Sequence, residues 1–498
     1  MNLRLYQIKV IAEFEREVFA GKMRIILVCP TGGGKTIIGS AIIKSHIERR
    51  RGVLVVAHRR EIITQTSDKL RANGIPHGII LTGVKSRPLE LVQVASIQTL
   101  WSRAVQRKNM AMPQADLLVI DECHHCPAKM YRKIIDAYPN AILLGLTATP
   151  CRGDGRGLGG IFEVIIECPQ VAELIEQGHL VKTRVYAPVI PDLKGVRVEK
   201  GDYVESQLAE RMDRPKLIGD IVTHWHKFGE RRPTVCFATG VRHSVHLRDE
   251  FIKSGVRAEH IDGGTPKPER DASLARLASG EIELITNCMV LTEGWDMPEV
   301  GCCILARPTK KMGLYRQMIG RVLRPTAGKP DAIILDHSGA VYRHGFAEDP
   351  VEWTLDPDTR AESAEHAARG NDPKSRLLEC SQCQCMRMAG EPCCACGFLP
   401  TPPPMPFTVA DGDLGLVEGR HAKATVYDAA ERARWHAMLV HVAAEREYKP
   451  GWAAVQYKEK FGTWPPWGSN PQPIPPTPEV RSWVRSRLIA YAKARGIA

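Results

Sequence analysis

Apolar and polar stretches alternate in a regular order along the first two thirds of the chain. The mainly apolar segment RIILVCP at 24–30 is followed by a glycine-rich turn, an isoleucine-rich helical segment and a second apolar segment, GVLVVAH at 52–58. Fully apolar strands separated by helices are typical of a parallel sheet covered on both faces. We therefore predict a first α/β lobe over residues 1–185, with its further strands at 92–94, 116–120 and 141–146.

The same alternation starts again beyond residue 232, and it predicts a second α/β lobe over residues 186–345. Its strands are expected at 233–239, 256–262, 282–288, 300–306 and 332–337. The rest of the chain is divided by composition into a polar linker at 346–375, a cysteine-rich module at 376–400, a proline-rich linker at 401–423 and a helical tail at 424–498.

Composition indicates the sign of the charge that a binding partner should carry. The 498 residues carry a formal net charge of +12, with an isoelectric point near 9.0. Such a balance favours a polyanion such as nucleic acid over an acidic partner. The chain has no apolar run of signal-peptide or membrane-spanning length, so we expect a cytoplasmic protein without a membrane partner.

The glycine-rich turn carries the first chemical signal. Thr31, Gly32, Gly33 and Gly34 precede Lys35 and Thr36 between an apolar strand and a helix, the context expected of a phosphate-binding loop. Glycines let backbone amides approach phosphates, and the helix that follows offers its positive end to an anion. We expect Lys35 to neutralise the β- and γ-phosphates of ATP and Thr36 to ligate Mg²⁺.

Two adjacent carboxylates follow the apolar run at 117–120. Asp121 and Glu122 are expected at the carboxyl end of a strand, the edge at which open α/β sheets bind ligands. In our interpretation Asp121 holds Mg²⁺, and Glu122 orients and deprotonates the attacking water. A solvated strand end explains such a pair in isolation, but not its occurrence after a phosphate loop.

These motifs, taken in order, resemble superfamily 2 helicases of the DEAD/DEAH-box kind over about residues 3–340. The acid box reads DECH, closer to DExH enzymes, and Cys29 stands where the family commonly has alanine. The resemblance implies two tandem RecA-like lobes that bind ATP and Mg²⁺ between them. It also implies the following roles in the first lobe: adenine reading by Gln7, coupling of hydrolysis to movement by His124, Thr147 and Thr149, and nucleic-acid contact by His58, Arg59, Arg60, Ser96, Gln98 and Thr99.

In the second lobe the resemblance rests on TEGWD at 292–296 and QMIGRVLR at 317–324. It implies nucleotide contacts by Gly294 and Asp296, a nucleic-acid contact by Thr239, and catalytic roles for Gln317, Arg321 and Arg324. Planar, permanently charged guanidinium groups suit the charge that develops on a transferring phosphoryl group. Their spacing of three predicts that both arginines lie on one helical face.

The predicted function is an ATP-dependent helicase or translocase that moves along or unwinds nucleic acid, with DNA favoured over RNA. LDHSGAVYRHG at 335–345 and YKPGWAAVQYKEKFGTWP at 448–465 are similar to RadD-type DNA-repair helicases and their bacterial and phage relatives. This likeness implies a role in repair, recombination or replication, in a bacterial cell or a phage-infected host. The alternatives are a duplex translocase that does not separate strands and an ATP-gated clamp with negligible turnover.

Six of the fifteen cysteines lie between residues 380 and 396. Cys380 and Cys383 form one CxxC knuckle and Cys393 and Cys396 another, a spacing that predicts a tetrahedral structural Zn²⁺ ribbon. Cys394 can replace Cys393 in this pattern. An iron–sulfur cluster and unliganded redox thiols remain alternatives.

The tail alternates basic and aromatic residues. Aromatic side chains at helical spacing usually form a small core, and that is the interpretation we favour here. The alternative is that the rings stack on unpaired bases or dock a repair or replication protein. The residues concerned are Trp435, Tyr448, Trp452, Tyr457, Lys458, Lys460, Phe461, Trp464 and Trp467.

Overall fold

The structure is a computed structural model that describes residues 3–188, 190–199, 201–292, 295–358, 377–399 and 427–494. Contacts divide the chain into two units, residues 1–402 and 403–498. Among the described helices, none has the length and apolar character needed to cross a bilayer.

The first sheet is parallel throughout and has seven strands among the described residues, in the order β3-β4-β2-β5-β6-β1-β7. Its central strands are buried because helices cover both faces, which explains their unbroken apolar sequences. The strands are β1 (Arg24–Val28), β2 (Val53–Ala57), β3 (Gly78–Ile80), β4 (Val92–Ser96), β5 (Leu117–Asp121), β6 (Ile142–Thr147) and β7 (Val164–Glu167).

The helices of this lobe follow the strands in the alternating order that the sequence predicts. The helix after β1 begins at Lys35, so the phosphate loop occupies the turn between them. The helices are α1 (Leu5–Phe19), α2 (Lys35–Glu48), α3 (Arg60–Ala72), α4 (Ile97–Leu100), α5 (Lys129–Asp136) and α6 (Val171–Glu176), with a π-helical turn at Trp101–Gln106 and a 3-10 turn at Cys123–His125.

The second sheet is also parallel, with six of the described strands in the order β12-β13-β11-β14-β15-β8. Strand β8 (Lys182–Tyr186) pairs with β15 (Asp331–Asp336), so the lobe boundary predicted at residue 185 falls inside a strand of the second sheet. The other strands are β11 (Thr234–Phe237), β12 (Ala258–Ile261), β13 (Leu284–Asn287) and β14 (Cys302–Leu305), and a small hairpin is formed by β9 (Val198–Glu199) and β10 (Asp202–Tyr203).

The helices of the second lobe pack on both faces of this sheet. Trp225 and Phe251 are fully buried under it, on the second and third of these helices. The helices are α7 (Glu205–Met212), α8 (Pro215–Phe228), α9 (Val241–Lys253), α10 (Lys267–Ser279), α11 (Met312–Ile319) and α12 (Ala340–His344).

Residues 346–358 return from the second lobe to the first. Backbone amides of Gly157 and Gly159 donate to the carbonyls of Asp356 and Leu355, and Gln170 bonds both the N–H and the C=O of Val351. Residues 346–358 of the predicted linker at 346–375 are therefore a strap that joins the two lobes, and the remainder of that linker lies outside the described residues.

The cysteine-rich module is a two-stranded antiparallel ribbon, β16 (Leu377–Glu379) with β17 (Met386–Met388). Its buried cysteines share a hydrophobic cluster with the second lobe. The tail unit contains α13 (Ala429–Glu445), α14 (Trp452–Phe461) and α15 (Pro478–Ala494). The proline-rich linker at 401–423 lies outside the described residues.

Candidate active site

The phosphate loop joins the buried strand β1 to helix α2. Gly32 and Gly34 have φ angles of 90° and 89°, a left-handed backbone conformation that residues other than glycine rarely adopt. A Cβ atom on Gly33 would lie 2.7 Å from the Cys29 sulfur, so the loop is closely packed at this point. Lys35 is the first residue of helix α2, and it lies where the free backbone amides of the helix attract anions.

Lys35 and Glu122 form a buried ion pair at the centre of the site. Lys35 Nζ lies 2.8 Å from Glu122 Oε1, and the side chains are 15% and 9% exposed. Burial lowers the pKa of Lys35, but Glu122 and Asp121 outweigh it and hold that pKa above its usual value. Burial raises the pKa of Glu122, but Lys35 and His124 hold it well below the ordinary value, so Glu122 is a carboxylate at neutral pH.

Glu122 occupies a strained backbone position. Its φ and ψ angles are 51° and 54°, in the left-handed region, immediately after strand β5. Non-glycine residues in this region cost energy and concentrate at functional sites. The Asp121 carboxylate accepts the backbone N–H of Glu122 at 2.9 Å, which helps to hold this turn.

The structure brings together His124, Thr147 and Thr149, the residues for which a coupling role is predicted. His124 Nδ1 lies 3.3 Å from Thr147 Oγ1 and 3.3 Å from Glu122 Oε2. Thr147 Oγ1 donates to the carbonyl of Thr149 at 3.1 Å. A Cβ on Gly313 of helix α11 would lie 2.9 Å from Thr149 Oγ1, so this group of residues touches the second lobe directly.

Arg321 and Arg324 both line the cleft between the lobes, but they do not lie on a helix. Helix α11 ends at Ile319 and is followed by Gly320, so the prediction of one helical face for the two arginines is wrong. Gly320 is needed at this position because a Cβ there would lie 2.5 Å from Thr31 Cβ of the opposite lobe.

The two arginines have different partners. Buried Arg321 donates three hydrogen bonds of 2.6–3.0 Å to the carbonyls of Thr292 and Trp295, and so fixes the segment around the predicted nucleotide contact. Arg324 Nη1 lies 2.7 Å from Asp296, and burial lowers its pKa. Gly294 lies outside the described residues.

A cavity of about 320 Å³ lies between the lobes, and most of the predicted ATP-site residues line it. Gln317 is buried on helix α11 away from this lining. Gln7 is also buried, and its side chain lies so close to the phosphate loop that a Cβ on Gly34 would be 2.5 Å from Gln7 Nε2. Gln7 Oε1 accepts a hydrogen bond from the Arg4 N–H at 2.9 Å. The predicted residues in the lining are Thr31, Gly32, Gly34, Lys35, Thr36, Asp121, Glu122, Asp296, Arg321 and Arg324.

Sequence reasoning missed five polar residues of this lining, namely Arg4, Gln65, Thr66, Lys69 and His179. Burial lowers the pKa of Lys69, while Asp296 acts in the opposite direction. Gln65 and Lys69 lie one turn apart on helix α3, a spacing that gives them a common face. That spacing was the only signal available for them, because nothing in the sequence shows that helix α3 borders the cleft.

Five of the six first-lobe residues predicted to contact nucleic acid, namely His58, Arg59, Ser96, Gln98 and Thr99, form one hydrogen-bonded group, called the nucleic-acid group below. Gln98 Nε2 donates to the His58 carbonyl at 3.1 Å, and the Ser96 hydroxyl donates to Gln98 Oε1 at 2.8 Å. The backbone N–H of Thr99 approaches Ser96 Oγ at 3.4 Å. Two segments distant in sequence, at the carboxyl ends of the neighbouring strands β2 and β4, are thus held at one edge of the sheet.

The side chains of Arg59 and Arg60 contact different lobes. Arg59 reaches the Met289 carbonyl of the second lobe at 3.5 Å, and Arg60 donates to the Thr82 carbonyl at 2.7 Å. Thr239 lies in the second lobe, is buried, and bonds His243 Nδ1 at 2.9 Å through its hydroxyl.

The sulfur atoms of Cys380, Cys383, Cys393 and Cys396 all lie within 4.8 Å of one another. The Cys380–Cys396 and Cys383–Cys393 sulfur distances are 3.6 and 3.5 Å. Tetrahedral Zn²⁺ with bonds of about 2.3 Å places its sulfur ligands roughly 3.8 Å apart, so the cluster has the size of a zinc site. Cys394 points instead to Cys385, with its sulfur 3.7 Å away.

The tail aromatics are divided between a core and the surface. Trp435, Tyr457 and Phe461 pack edge to face or tilted around the helices, as the core interpretation predicts. Trp464 and Trp467 remain exposed, and Lys458 Nζ lies 4.5 Å from the centre of the Trp464 ring.

Comparisons with known proteins agree with this architecture. Residues 1–152 match the family model "Type III restriction enzyme, res subunit", and residues 214–326 match "Helicase conserved C-terminal domain". The 51.5 kDa protein of a Lactococcus phage is 31% identical over 324 residues, which cover 65% of this chain and 68% of that protein. The putative ATP-dependent helicase IRC3 of Saccharomyces cerevisiae is 31% identical over 360 residues, which cover 68% of this chain and 52% of the yeast protein.

A solved structure shares the fold. It is a fragment of a putative HsdR subunit of a type I restriction enzyme from Vibrio vulnificus, with a TM-score of 0.56 at 23% identity, covering 71% of this chain and 67% of that one. The chain belongs to the superfamily 2 helicases, enzymes that hydrolyse ATP, and its two parallel sheets are RecA-like lobes. The matched region spans about half of the yeast relative, and the finer likeness to RadD-type helicases stays a prediction.

Proposed function

We propose that this chain hydrolyses ATP with Mg²⁺ in the cleft between its lobes and uses the energy to move along or unwind DNA. The observation that carries the proposal is the cleft itself, where the Lys35–Glu122 pair faces Arg321 and Arg324 of the opposite lobe. A site divided between two lobes is completed only when they close, which links hydrolysis to relative movement.

The lining of the cavity fits a magnesium–nucleotide complex. Its charged residues are five cations, Arg4, Lys35, Lys69, Arg321 and Arg324, against three carboxylates, Asp121, Glu122 and Asp296, an excess of two positive charges. The left-handed glycines leave backbone amides open to phosphate oxygens, as in other phosphate loops. An excess of positive charge around such amides suits a polyphosphate.

In this proposal Lys35 exchanges Glu122 for the β- and γ-phosphates when nucleotide enters. Thr36 and Asp121 would hold Mg²⁺, which supplies charge neutralisation at the transferring phosphoryl group. The released Glu122 carboxylate then takes a proton from the attacking water. Burial raises its pKa and Lys35 is the main cause that lowers it, so loss of Lys35 makes the carboxylate a stronger base at this point.

The two lobes share the remaining roles. Arg324 first separates from Asp296 and then stabilises charge on the phosphoryl group. Arg321 holds the segment around residue 295 in place. Gln317 is buried on helix α11, outside the cavity lining, and would act by packing. His124, Thr147 and Thr149 connect Glu122 with helix α11 of the second lobe.

We infer that DNA rather than RNA is the track, because the family model of the first lobe and the solved neighbour are restriction-enzyme subunits. The group formed by His58, Arg59, Ser96, Gln98 and Thr99 would hold its backbone, with contacts that are salt-dependent and independent of sequence. The predicted repair, recombination or replication role, and a repair or replication protein as partner of the tail, remain proposals for testing.

We also propose that Cys380, Cys383, Cys393 and Cys396 hold a structural Zn²⁺ ion. Four convergent thiols make a closed site without an open position for catalysis. The ribbon buries few apolar residues of its own, so the metal would supply most of its folding energy.

The decisive experiment measures ATP hydrolysis with Mg²⁺ at fixed low salt, alone and with single-stranded DNA, duplex DNA, forked DNA or RNA. Stimulation by DNA is expected, and strand separation on forked DNA would distinguish a helicase from a duplex translocase. ATP binding without hydrolysis on every polymer would refute the motor and favour the ATP-gated clamp.

A further inference from the structure

Three histidine rings form a continuous row between the candidate catalytic carboxylate and the nucleic-acid group. His124 and His125 have ring centroids 4.2 Å apart, and His125 and His58 have centroids 4.3 Å apart with an interplanar angle of 65°. His125 is therefore packed between two rings that belong to different predicted functions.

Each end of the row contacts residues of one of these predicted functions. At one end His124 Nδ1 lies 3.3 Å from Glu122 and 3.3 Å from Thr147. At the other end the His58 carbonyl accepts Gln98 Nε2 at 3.1 Å, and Arg59 Nε lies 3.3 Å from His58 Nε2. Glu122 and Gln98 are thereby connected through the three rings and the backbone of His58.

The backbone makes the row responsive to both ends. His124 and His125 form the 3-10 turn that follows the strained Glu122, and His58 directly follows strand β2. Packed rings resist compression, so a shift of the strand-end segment that carries His58 displaces His125 and then His124. His124 Nδ1 in turn lies 3.3 Å from Glu122 Oε2, so a displacement of His124 changes the surroundings of this oxygen.

We propose that His125 is a positioning residue that couples nucleic-acid binding to the orientation of Glu122 for hydrolysis. This inference rests on the proposed ATP-driven function and deepens it, since it names how polymer binding accelerates hydrolysis. His125 contacts neither substrate in this scheme and acts through its two neighbouring rings. Its ring, rather than its charge, carries the effect.

The test compares full-length parental protein with His125→Ala, which removes the ring, and His125→Phe, which keeps one. Hydrolysis is measured across a titration of single-stranded oligothymidine, and DNA affinity is measured separately by fluorescence anisotropy without nucleotide. His246→Ala, a half-exposed histidine that pairs with Asp213 on the second lobe, is the matched control.

The alanine variant is expected to lower the ratio of DNA-stimulated to DNA-free hydrolysis at least about fivefold, the lower end of typical coupling between sites. Its DNA concentration for half-maximal stimulation should stay within about twofold of the parental value. The phenylalanine variant should recover most of the ratio, and the control should match the parent.

Two results would overturn the inference. One is a stimulation ratio in His125→Ala equal to the parental ratio. The other is DNA affinity that falls in step with the ratio, which would make His125 part of the DNA surface. If the alanine variant does not fold, His125→Asn against His125→Phe makes the same comparison, and equal ratios again overturn it. Absence of DNA stimulation in the parent is a separate result that refutes the proposed function itself.

Discussion

The Lys35–Glu122 pair gives a prediction that separates its electrostatic role from its catalytic one. Glu122→Gln keeps a hydrogen-bond acceptor for Lys35 but removes the negative charge 2.8 Å from its ammonium group. At an effective dielectric of about 20 the lost attraction is at most about 6 kcal/mol. Because Asp121 remains and Gln still accepts a hydrogen bond, we expect a loss near the lower end of the range for broken buried pairs, about 3 kcal/mol.

Nucleotide should reverse this loss. In the parental protein ATP must separate Lys35 from Glu122, whereas in the variant the phosphates supply a missing counter-charge. The rise in melting temperature on adding ATP with Mg²⁺ should therefore be larger in Glu122→Gln than in the parent. Hydrolysis should fall by about 10²–10⁴-fold, the usual contribution of a general base.

The assay is differential scanning fluorimetry with and without ATP, combined with a phosphate-release assay. Glu259→Gln is the control, since Glu259 lies 2.7 Å from Arg276 outside the cleft. It should lower the melting temperature without changing the ATP-dependent rise. An ATP-dependent rise in Glu122→Gln no larger than the parental one would refute the exchange of partners, and unchanged hydrolysis would refute the assignment of the base.

Three further predictions follow from the described contacts. Cys393→Ser should lose zinc in a metal analysis of purified protein while Cys394→Ser retains it, and the reverse would assign the ligand to Cys394. Arg321→Lys should lower the free energy of unfolding by about 3 kcal/mol in urea melts, because buried carbonyls lose charged donors; a change below about 1 kcal/mol would contradict this role. The pKa of Glu122 is depressed in the folded protein, so the stability that the pair contributes is present above about pH 4.5 and is lost as pH falls through the folded pKa. Lys35→Met removes the pair, and it should therefore flatten the acid side of a plot of melting temperature against pH relative to the parent.

Sequence patterns predicted the site best where chemistry is local. The strand, the glycine turn and the first residues of helix α2 are consecutive, so Lys35 and Thr36 had one possible position in such a fold. The carboxyl ends of parallel strands share an edge, and this placed Asp121 and Thr147 near the loop. These inferences needed only strand order and direction.

Predictions failed or were incomplete where the answer depends on a turn or on packing. Arg321 and Arg324 have helical spacing, yet helix α11 stops at Ile319 and the close approach of Thr31 to Gly320 sets the path beyond it. Cys393 and Cys394 are adjacent and chemically identical, so only the course of the ribbon shows which sulfur joins the cluster.

The contacts between the lobes explain why ATP and nucleic acid are expected to influence each other. Thr31 meets Gly320 at the phosphate loop, Thr149 meets Gly313 beside the coupling residues, and Glu61 bonds Arg270 at 3.0 Å near the nucleic-acid group. The first-lobe partners lie in short segments that follow strands β1, β6 and β2 of one rigid sheet. Opening the cleft at any of these points therefore strains the other two, and a ligand that closes one of them favours closure of all three.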